Sequence, residues 1–228
     1  MKFPILIPKI FNHPFTYVSD LKLKVGDYVI VPFGKSEITG VVWDEFEKKT
    51  DKNFIIKKVS RKLDVPSLKK NIIKFLYWFS EYNMIPKGMA LKLLLLSNKA
   101  IEELNKENFK VFEPKLKSNN FTFSEEQKTS LKKLVNSSEK FGVHVIQGIT
   151  GSGKTVVYFN SLRKKISKGF QGLILLPEIG LTGEFQKKFK EFFGFDAAIW
   201  HSSITKKNKK IIWNGIATGK IKVLIGAR

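Results

Sequence analysis

Cysteine is absent from all 228 residues, so neither a disulfide nor a cysteine-ligated zinc site can form within them. Arginine is scarce: Arg61, Arg163 and Arg228 are the only three. Acidic residues are outnumbered, 20 against 41 basic ones, which leaves a net charge of +21 carried almost entirely by lysine. That excess attracts polyanions, most commonly nucleic acid or an anionic membrane surface, unless lysine is simply the preferred surface residue. Long apolar runs are missing too. The longest, Phe75 to Phe79, is far too short to cross a bilayer. The opening stretch MKFPILIPKIF is interrupted by Pro4, Pro8 and Lys9, unlike a secretory signal. Together these absences predict a cytoplasmic protein with no membrane span.

Apolar residues make up 43% of the chain, enough for real cores. The positive charge is not a tail: residues 1–97 hold 17 basic and 9 acidic residues, and 98–228 hold 24 and 11. Lys206, Lys207, Lys209 and Lys210 form the densest local run, which reads first as a solvated loop.

The first sixty residues read as short strands, at Pro4–Ile7, Tyr28–Val31, Gly40–Trp43 and Phe54–Val59. Turn chemistry at Val25-Gly26-Asp27 and Pro32-Phe33-Gly34-Lys35 separates them, which suggests a small β barrel or sandwich. Residues 67–84 then predict a helix with Ser67 as a possible N-cap, ended by Pro86, with a short helix following through Leu91–Leu96. Residues 98–120 are polar and lack periodicity, as a linker does. From residue 121 helices and strands alternate. Helices are expected near Ser124–Val135, after Lys154, near Leu181–Phe193 and near Ile204–Ala217. Strands are expected at Val143–Gln147, Gly172–Leu176, Ala197–Trp200 and Lys222–Ile225. Such alternation with near-continuous apolar strands indicates an α/β fold, a parallel sheet covered by helices on both faces. The expected division is therefore a β-rich domain at 1–97, a linker at 98–120 and an α/β domain at 121–228.

The sharpest motif is GITGSGKT, Gly148 to Thr155, which meets the template G-x-x-x-x-G-K-[ST]. Glycines let the backbone curl so that successive N–H groups converge on phosphate oxygens. The following helix points its positive end at the same place. Gly148, Thr150, Gly151, Ser152 and Gly153 would cradle the phosphates of ATP, Lys154 would reach the β- and γ-phosphates, and Thr155 would ligate Mg²⁺. Such a site also needs a strand-end acid to hold the metal. After Lys154 the acids are Glu178, Glu184, Glu191 and Asp196. Only Glu178 closes a strand, behind a proline in the wrong setting, and Asp196 precedes its strand. The sequence therefore reads as half of an ATPase site, within a fragment of a longer protein.

The ordered strings FTFSEEQ, GITGSGKT, LLPEIGLT, HSS and VLIGAR resemble the primosomal protein N′ family of replication-restart DNA helicases. Upstream, PFTYVSD and YVIVPFGKSEITGVVWD resemble that family's small domain that captures the 3′ end of a nascent DNA strand. The resemblance covers the chain. It implies an ATP-dependent helicase moving 3′ to 5′ on single-stranded DNA, acting at stalled or abandoned forks and helping reload the replicative helicase. It implies most of the first of two RecA-like lobes, with the Asp-Glu-Glu-His acid, the second lobe and zinc-binding cysteines outside this chain. Its implied partners are single-stranded and forked DNA, single-stranded-DNA-binding protein, and primosome or helicase-loading proteins.

By the same resemblance Phe15, Thr16, Tyr17, Phe33, Gly34 and Lys57 would form the 3′-end pocket, through base stacking, close backbone approach and phosphate contact. The plain alternative makes Phe15, Tyr17 and Phe33 core residues of a small β domain. Glu178, Thr182, His201, Ser202 and Arg228 would contact single-stranded DNA from strand-end loops, with Arg228 meeting phosphate or bracing its loop. Gln127 has two readings. Ser124-Glu125-Glu126-Gln127 matches a capping box, whereas the resembled helicases use such a glutamine on adenine. Three features depart from the family. Its winged-helix module has no counterpart between the two domains. Its pocket carries Phe-Asp-Tyr where Phe15-Thr16-Tyr17 stands here, a hydroxyl in place of a carboxylate. Its Leu-Thr-Pro appears as Leu181-Thr182-Gly183. The aromatic run Phe75, Tyr77, Trp78, Phe79 and Tyr82 reads as core or interdomain packing. Two other readings stand beside this one: a different P-loop DNA translocase, and a non-enzymatic DNA-binding module.

Overall fold

The computed structural model describes residues 1–46, 55–95, 122–135, 141–177 and 182–227. The expected linker at 98–120, Glu178 and Arg228 lie outside these residues. The chain divides into two compact units, one within Met1–Asn108 and Lys206–Asn214, the other within Phe109–Thr205 and Gly215–Arg228.

The first unit is built on five antiparallel strands: β1 (Lys2–Leu6), β2 (Phe15–Val18), β3 (Tyr28–Phe33), β4 (Ser36–Val42) and β5 (Arg61–Lys62), in the order β2-β1-β4-β3-β5. The segment 57–63 closes this sheet. Val18 N–H donates to the Lys57 carbonyl and Val59 N–H to the Val18 carbonyl, while Ser60 and Leu63 N–H bond to Ile30 and Tyr28 carbonyls. One stretch of chain thus satisfies both edges, and the sheet becomes a small barrel without long open edges. Of the strand expected over Phe54–Val59, Phe54 lies outside the described residues, and the rest holds an isolated bridge at Lys58 followed by β5, because the segment crosses from one edge strand to the other rather than running along either. β2 had no expectation of its own: Pro14 and Thr16 weaken its strand signature, and pairing with β1 from Lys2↔Val18 to Ile5↔Phe15 supplies what propensity does not.

Both faces of the strands are apolar. Ile5, Ile7, Tyr17, Val29, Val31, Ile38, Val42 and Val59 fill the barrel. The alternate residues Leu6, Tyr28, Ile30, Val41, Trp43 and Leu63 pack outward against Ile73, Leu76, Ala90, Leu91 and Leu95 of helices α1 (Lys70–Tyr82) and α2 (Lys87–Leu94). This period of two explains why the strands read as continuous apolar runs. Ser67 does not cap α1: Lys69 holds the N-cap position without a side-chain bond. The Ser67 hydroxyl donates to buried Asp27 Oδ1 at 2.6 Å instead. Gly26 beside it has φ +92°, and a Cβ there would stand 2.2 Å from the Leu68 carbonyl oxygen, so the turn admits only glycine.

The second unit holds α3 (Glu125–Val135), α4 (Lys154–Ser167), β6 (Gly172–Leu176), α5 (Thr182–Phe193), β7 (Ala198–Trp200), α6 (Lys206–Ala217), which is divided between the units, and β8 (Val223–Ala227). The strands are parallel in the order β6-β8-β7. Phe159, Ile166, Phe189, Phe192 and Phe193 pack with Val223 and Ile225 as its core. At β6 only alternate residues are covered: Ile174 and Leu176 meet that core, while Leu173 and Leu175 are exposed. The strand expected at Val143–Gln147 does not form. Those residues pair with none of β6, β8 or β7, and Val143 and Val145 stay exposed. An apolar, β-branched run states that burial is favoured; a ladder also needs a neighbouring strand with free hydrogen-bonding groups.

Candidate nucleotide and nucleic-acid sites

Gly148–Thr155 forms a tight loop that feeds directly into α4. Gly151 and Gly153 have φ of +82° and +80°, the left-handed region that favours glycine, and Gly153 is the N-cap of α4. A Cβ at Gly148 would meet Ser152 Oγ at 2.7 Å. No side chain caps α4, and its first turn carries no acid, so the positive helix end faces the loop uncompensated. Lys154 Nζ donates to the carbonyls of Gly148 at 2.5 Å and Ile149 at 2.8 Å. An ammonium that takes loop carbonyls as acceptors lies inside the concavity, where phosphate oxygens would replace them. Donor glycine backbone, helix end and lysine together fit a nucleoside triphosphate. Thr155 begins the helix beside Lys154 and is the residue that would supply a hydroxyl to accompanying Mg²⁺. Among the described residues no cluster of three His, Cys, Asp or Glu could hold a metal by itself.

Gln127 engages both ends of its side-chain amide. Its Oε1 accepts from Ser124 N–H at 3.1 Å, and its own N–H donates to Ser124 Oγ at 3.2 Å, which completes the capping box of α3. Its Nε2 simultaneously donates to the Ser152 carbonyl at 3.0 Å. The side chain therefore takes the capping-box arrangement and ties the start of α3 to the phosphate loop.

On the barrel, Phe15 from β2 and Phe33 at the end of β3 sit edge-to-face with centroids 5.5 Å apart. Phe11 and His13 join them: Phe11 lies 4.9 Å from Phe15 and 5.8 Å from Phe33, and His13 lies 4.9 Å from Phe15. Neither was singled out by sequence; the FNHPF string was the available signal. Gly34 follows Phe33 in the β3–β4 turn with φ +62° and open space around it. Tyr17 is a core residue, 4% exposed, its hydroxyl donating to the Pro32 carbonyl at 3.1 Å. Burial pushes that phenol up from its ordinary pKa. Thr16 alternates with Phe15 and Tyr17 along β2, so the pleat places it on the other face. Lys57 is exposed and neighbours Val18 through its carbonyl. The structure thus gathers Phe15 and Phe33 beside the Gly34 turn, packed against the barrel core that includes Tyr17, and pairs Lys57 with Val18 at the far end of β2.

A protein-family model for a 3′DNA-binding domain matches residues 4–96, and one for a DEAD/DEAH box helicase matches residues 124–228. Replication restart protein PriA of Rickettsia conorii is 38% identical over 229 residues, covering 98% of this chain and 34% of that protein. The same protein of Rickettsia felis is 40% identical over 230 residues, with equal shares. The chain belongs to the PriA family. It spans about one third of the length of those PriA relatives. PriA of Bacillus subtilis is 36% identical over 91 residues, which is 40% of this chain and 11% of that protein.

The barrel therefore carries the PriA 3′DNA-binding match, and the phosphate loop lies in the helicase match. Of the strand-end residues expected at DNA, Glu178 and Arg228 fall outside the described residues, and Thr182 opens α5. His201 follows β7, and its Nδ1 is buried with no hydrogen-bond partner among the described residues. Ser202 lies beside it and is exposed. Among the described residues no helix is long and apolar enough to cross a membrane.

Proposed function

We propose that this chain carries the strand-end-binding barrel and the ATP-binding loop of a 3′-to-5′ DNA helicase that restarts replication at stalled or abandoned forks. The observation that carries this reading is the coexistence of two built sites in one chain. One is an aromatic cluster around Phe15 and Phe33 beside the Gly34 turn; the other is a phosphate loop with Lys154 seated in it. The 3′DNA-binding and helicase matches support the pairing. The domains would be 1–97 and 121–228, joined by 98–120. In the cytoplasm the substrates are single-stranded and forked DNA, and the protein partners are single-stranded-DNA-binding protein and primosome or helicase-loading proteins. ATP with Mg²⁺ binds at Gly148–Thr155, and its hydrolysis supplies the energy for translocation. Within the chain, Lys154 would leave the Gly148 and Ile149 carbonyls for phosphate oxygens, Thr155 would take the metal, and Gln127 would hold Ser152 in place. Phe15 would stack on a terminal base and Lys57 would meet phosphate. Glu178, Thr182, His201, Ser202 and Arg228 would follow single-stranded DNA. Zinc would belong to sequence with cysteines, which this chain does not have.

Among the described residues no acid ends a strand of the parallel sheet, so purified protein should bind ATP but hydrolyse it slowly. The deciding experiment compares oligonucleotides ending in a 3′-hydroxyl and a 3′-phosphate. Tighter binding of the hydroxyl end is expected; equal affinity would favour a P-loop translocase without a strand-end pocket. Rapid DNA-stimulated ATP turnover by the 228-residue chain would overturn the assignment of the missing acid to other sequence.

A further inference from the structure

Helix α1 buries one face only. Ile73, Leu76 and Ser80 point into the core, and Tyr77 is tied down, its hydroxyl accepting from Trp43 Nε1–H and facing the carboxylates of Asp44 and Glu45 as donor. The aromatic run is therefore not core on all sides. Phe75, Trp78 and Tyr82 are exposed to 46%, 53% and 72%. Their spacing, i, i+3 and i+7, sets one aromatic on each successive turn of a single stripe. The rings touch: Phe75 and Trp78 have centroids 5.7 Å apart, and Trp78 and Tyr82 stack at 5.1 Å with planes 22° apart. Phe79 widens the row at 5.7 Å from Phe75.

Single exposed aromatics are ordinary, but a contiguous ladder of them marks a contact surface. The surrounding charges select its occupant. Lys69, Lys70 and Lys74 are all exposed at and beyond the start of the helix, whose first turn holds no acid; Glu81 is its single acid. Lys74 lies one turn before Trp78, so an ammonium borders the ring row. Single-stranded nucleic acid uses both parts: every base has a face to stack, and every phosphate is an anion.

We propose that the outer face of α1 is a second single-strand-binding surface, built from Phe75, Trp78 and Tyr82 with Lys74. It holds the interior of a strand without regard to sequence and needs no free 3′ end, unlike the cluster around Phe15 and Phe33.

The test uses the 228-residue chain and fluorescein-labelled oligodeoxythymidylate ending in a 3′-phosphate, which withholds the hydroxyl end from the barrel cluster. Fluorescence anisotropy compares the parent with Trp78→Ala/Tyr82→Ala and with Lys74→Gln. The double variant should bind about tenfold or more weakly, as expected for losing stacked bases. Lys74→Gln should weaken binding and reduce its salt dependence. Because the substituted rings are exposed, thermal melting should stay close to the parent's. Equal affinity in parent and double variant overturns the proposal. A 5-bromodeoxyuridine oligonucleotide should photo-crosslink to the peptide containing residues 75–82; crosslinks confined to other peptides also overturn it. So does sedimentation showing a parent dimer that the double variant dissolves while DNA affinity is unchanged, since the face would then join two copies. The preference for a 3′-hydroxyl, measured separately on the same variants, reports on the barrel cluster alone, so either reading can fail without the other.

Discussion

Gln127 Nε2 stands 3.0 Å from the carbonyl oxygen of Ser152, while Oε1 of the same side chain accepts from Ser124 N–H. One amide thus spans a helix cap and a phosphate loop, and its two ends can be separated by substitution. Gln127→Glu keeps an acceptor for Ser124 but removes the donor to Ser152 and places a negative charge beside the loop. It should leave the melting temperature nearly unchanged and weaken ATP binding about tenfold, the equivalent of roughly 1.4 kcal/mol. Gln127→Ala should lose the cap as well, costing about 1 kcal/mol of stability. Calorimetric titration with ATP and thermal melting read the two effects. Equal ATP affinity in Gln127→Glu and parent would remove Gln127 from the nucleotide site.

Lys154 is already inside its loop, bonded to the Gly148 and Ile149 carbonyls. Lys154→Ala should lower ATP affinity about 10- to 100-fold, in line with a charge-assisted hydrogen bond of about 1.5–3 kcal/mol. Binding of a free 3′-hydroxyl oligonucleotide should change little, because the aromatic cluster of Phe11, His13, Phe15 and Phe33 belongs to the other compact unit. Parallel loss of both activities would show the two sites to be one.

Asp27 governs how the barrel meets acid. It is 2% exposed. Burial by itself would raise its pKa, but hydrogen bonds from Lys62, Ser67 and the Lys24 N–H, with the Lys62 charge, outweigh burial and hold it below the ordinary value. A carboxyl lowered in the folded state contributes stability that is complete above its unfolded pKa, about 3.9, and is lost as pH falls through the folded value. Denaturant melts should therefore show stability falling below about pH 4. Asp27→Asn should cost about 1–3 kcal/mol at neutral pH, because the Lys62 charge loses its partner, and should flatten the acid limb. An unchanged acid limb in that variant would shift the effect to other carboxylates.

Leu173 and Leu175 lie exposed on β6, an edge of the described three-stranded sheet. Exposed apolar edges recruit other chains. The isolated chain should self-associate at high concentration, and Leu175→Lys should reduce this in sedimentation velocity. Identical profiles for the two proteins would show that this edge is not the sticky surface.

Much of the architecture was legible because period and turn chemistry are local. β3, β4, α4, α5 and β8 fall near where apolar spacing sets them, and the phosphate loop is written in eight consecutive residues. What escaped depends on partners distant in sequence. Ser67 carries a cap signature, yet Asp27, 40 residues away, claims its hydroxyl. Val143–Gln147 has a strand's composition, and pairing alone decides whether a strand exists. The helical spacing of Phe75, Trp78 and Tyr82 was visible, but which side of α1 meets the core is settled by Ile73, Leu76 and the barrel wall they pack on. Gln127's capping box was readable in four consecutive residues, whereas its bond to Ser152, 25 residues away, was not.

The segment 57–63 has a consequence for how the protein is made. It binds Val18 at one end and Tyr28 and Ile30 at the other, so the barrel's last edges are satisfied together by the last part of it to be synthesised. A chain emerging from the ribosome can pair β3 with β4 early, since Phe33 and Ser36 are neighbours across a tight turn. It cannot seal the barrel until residue 63 is free to fold back over some forty residues. Until then its strand edges stand open to whatever else is nearby, which makes this short crossing the step that closes an adhesive nascent sheet into a barrel.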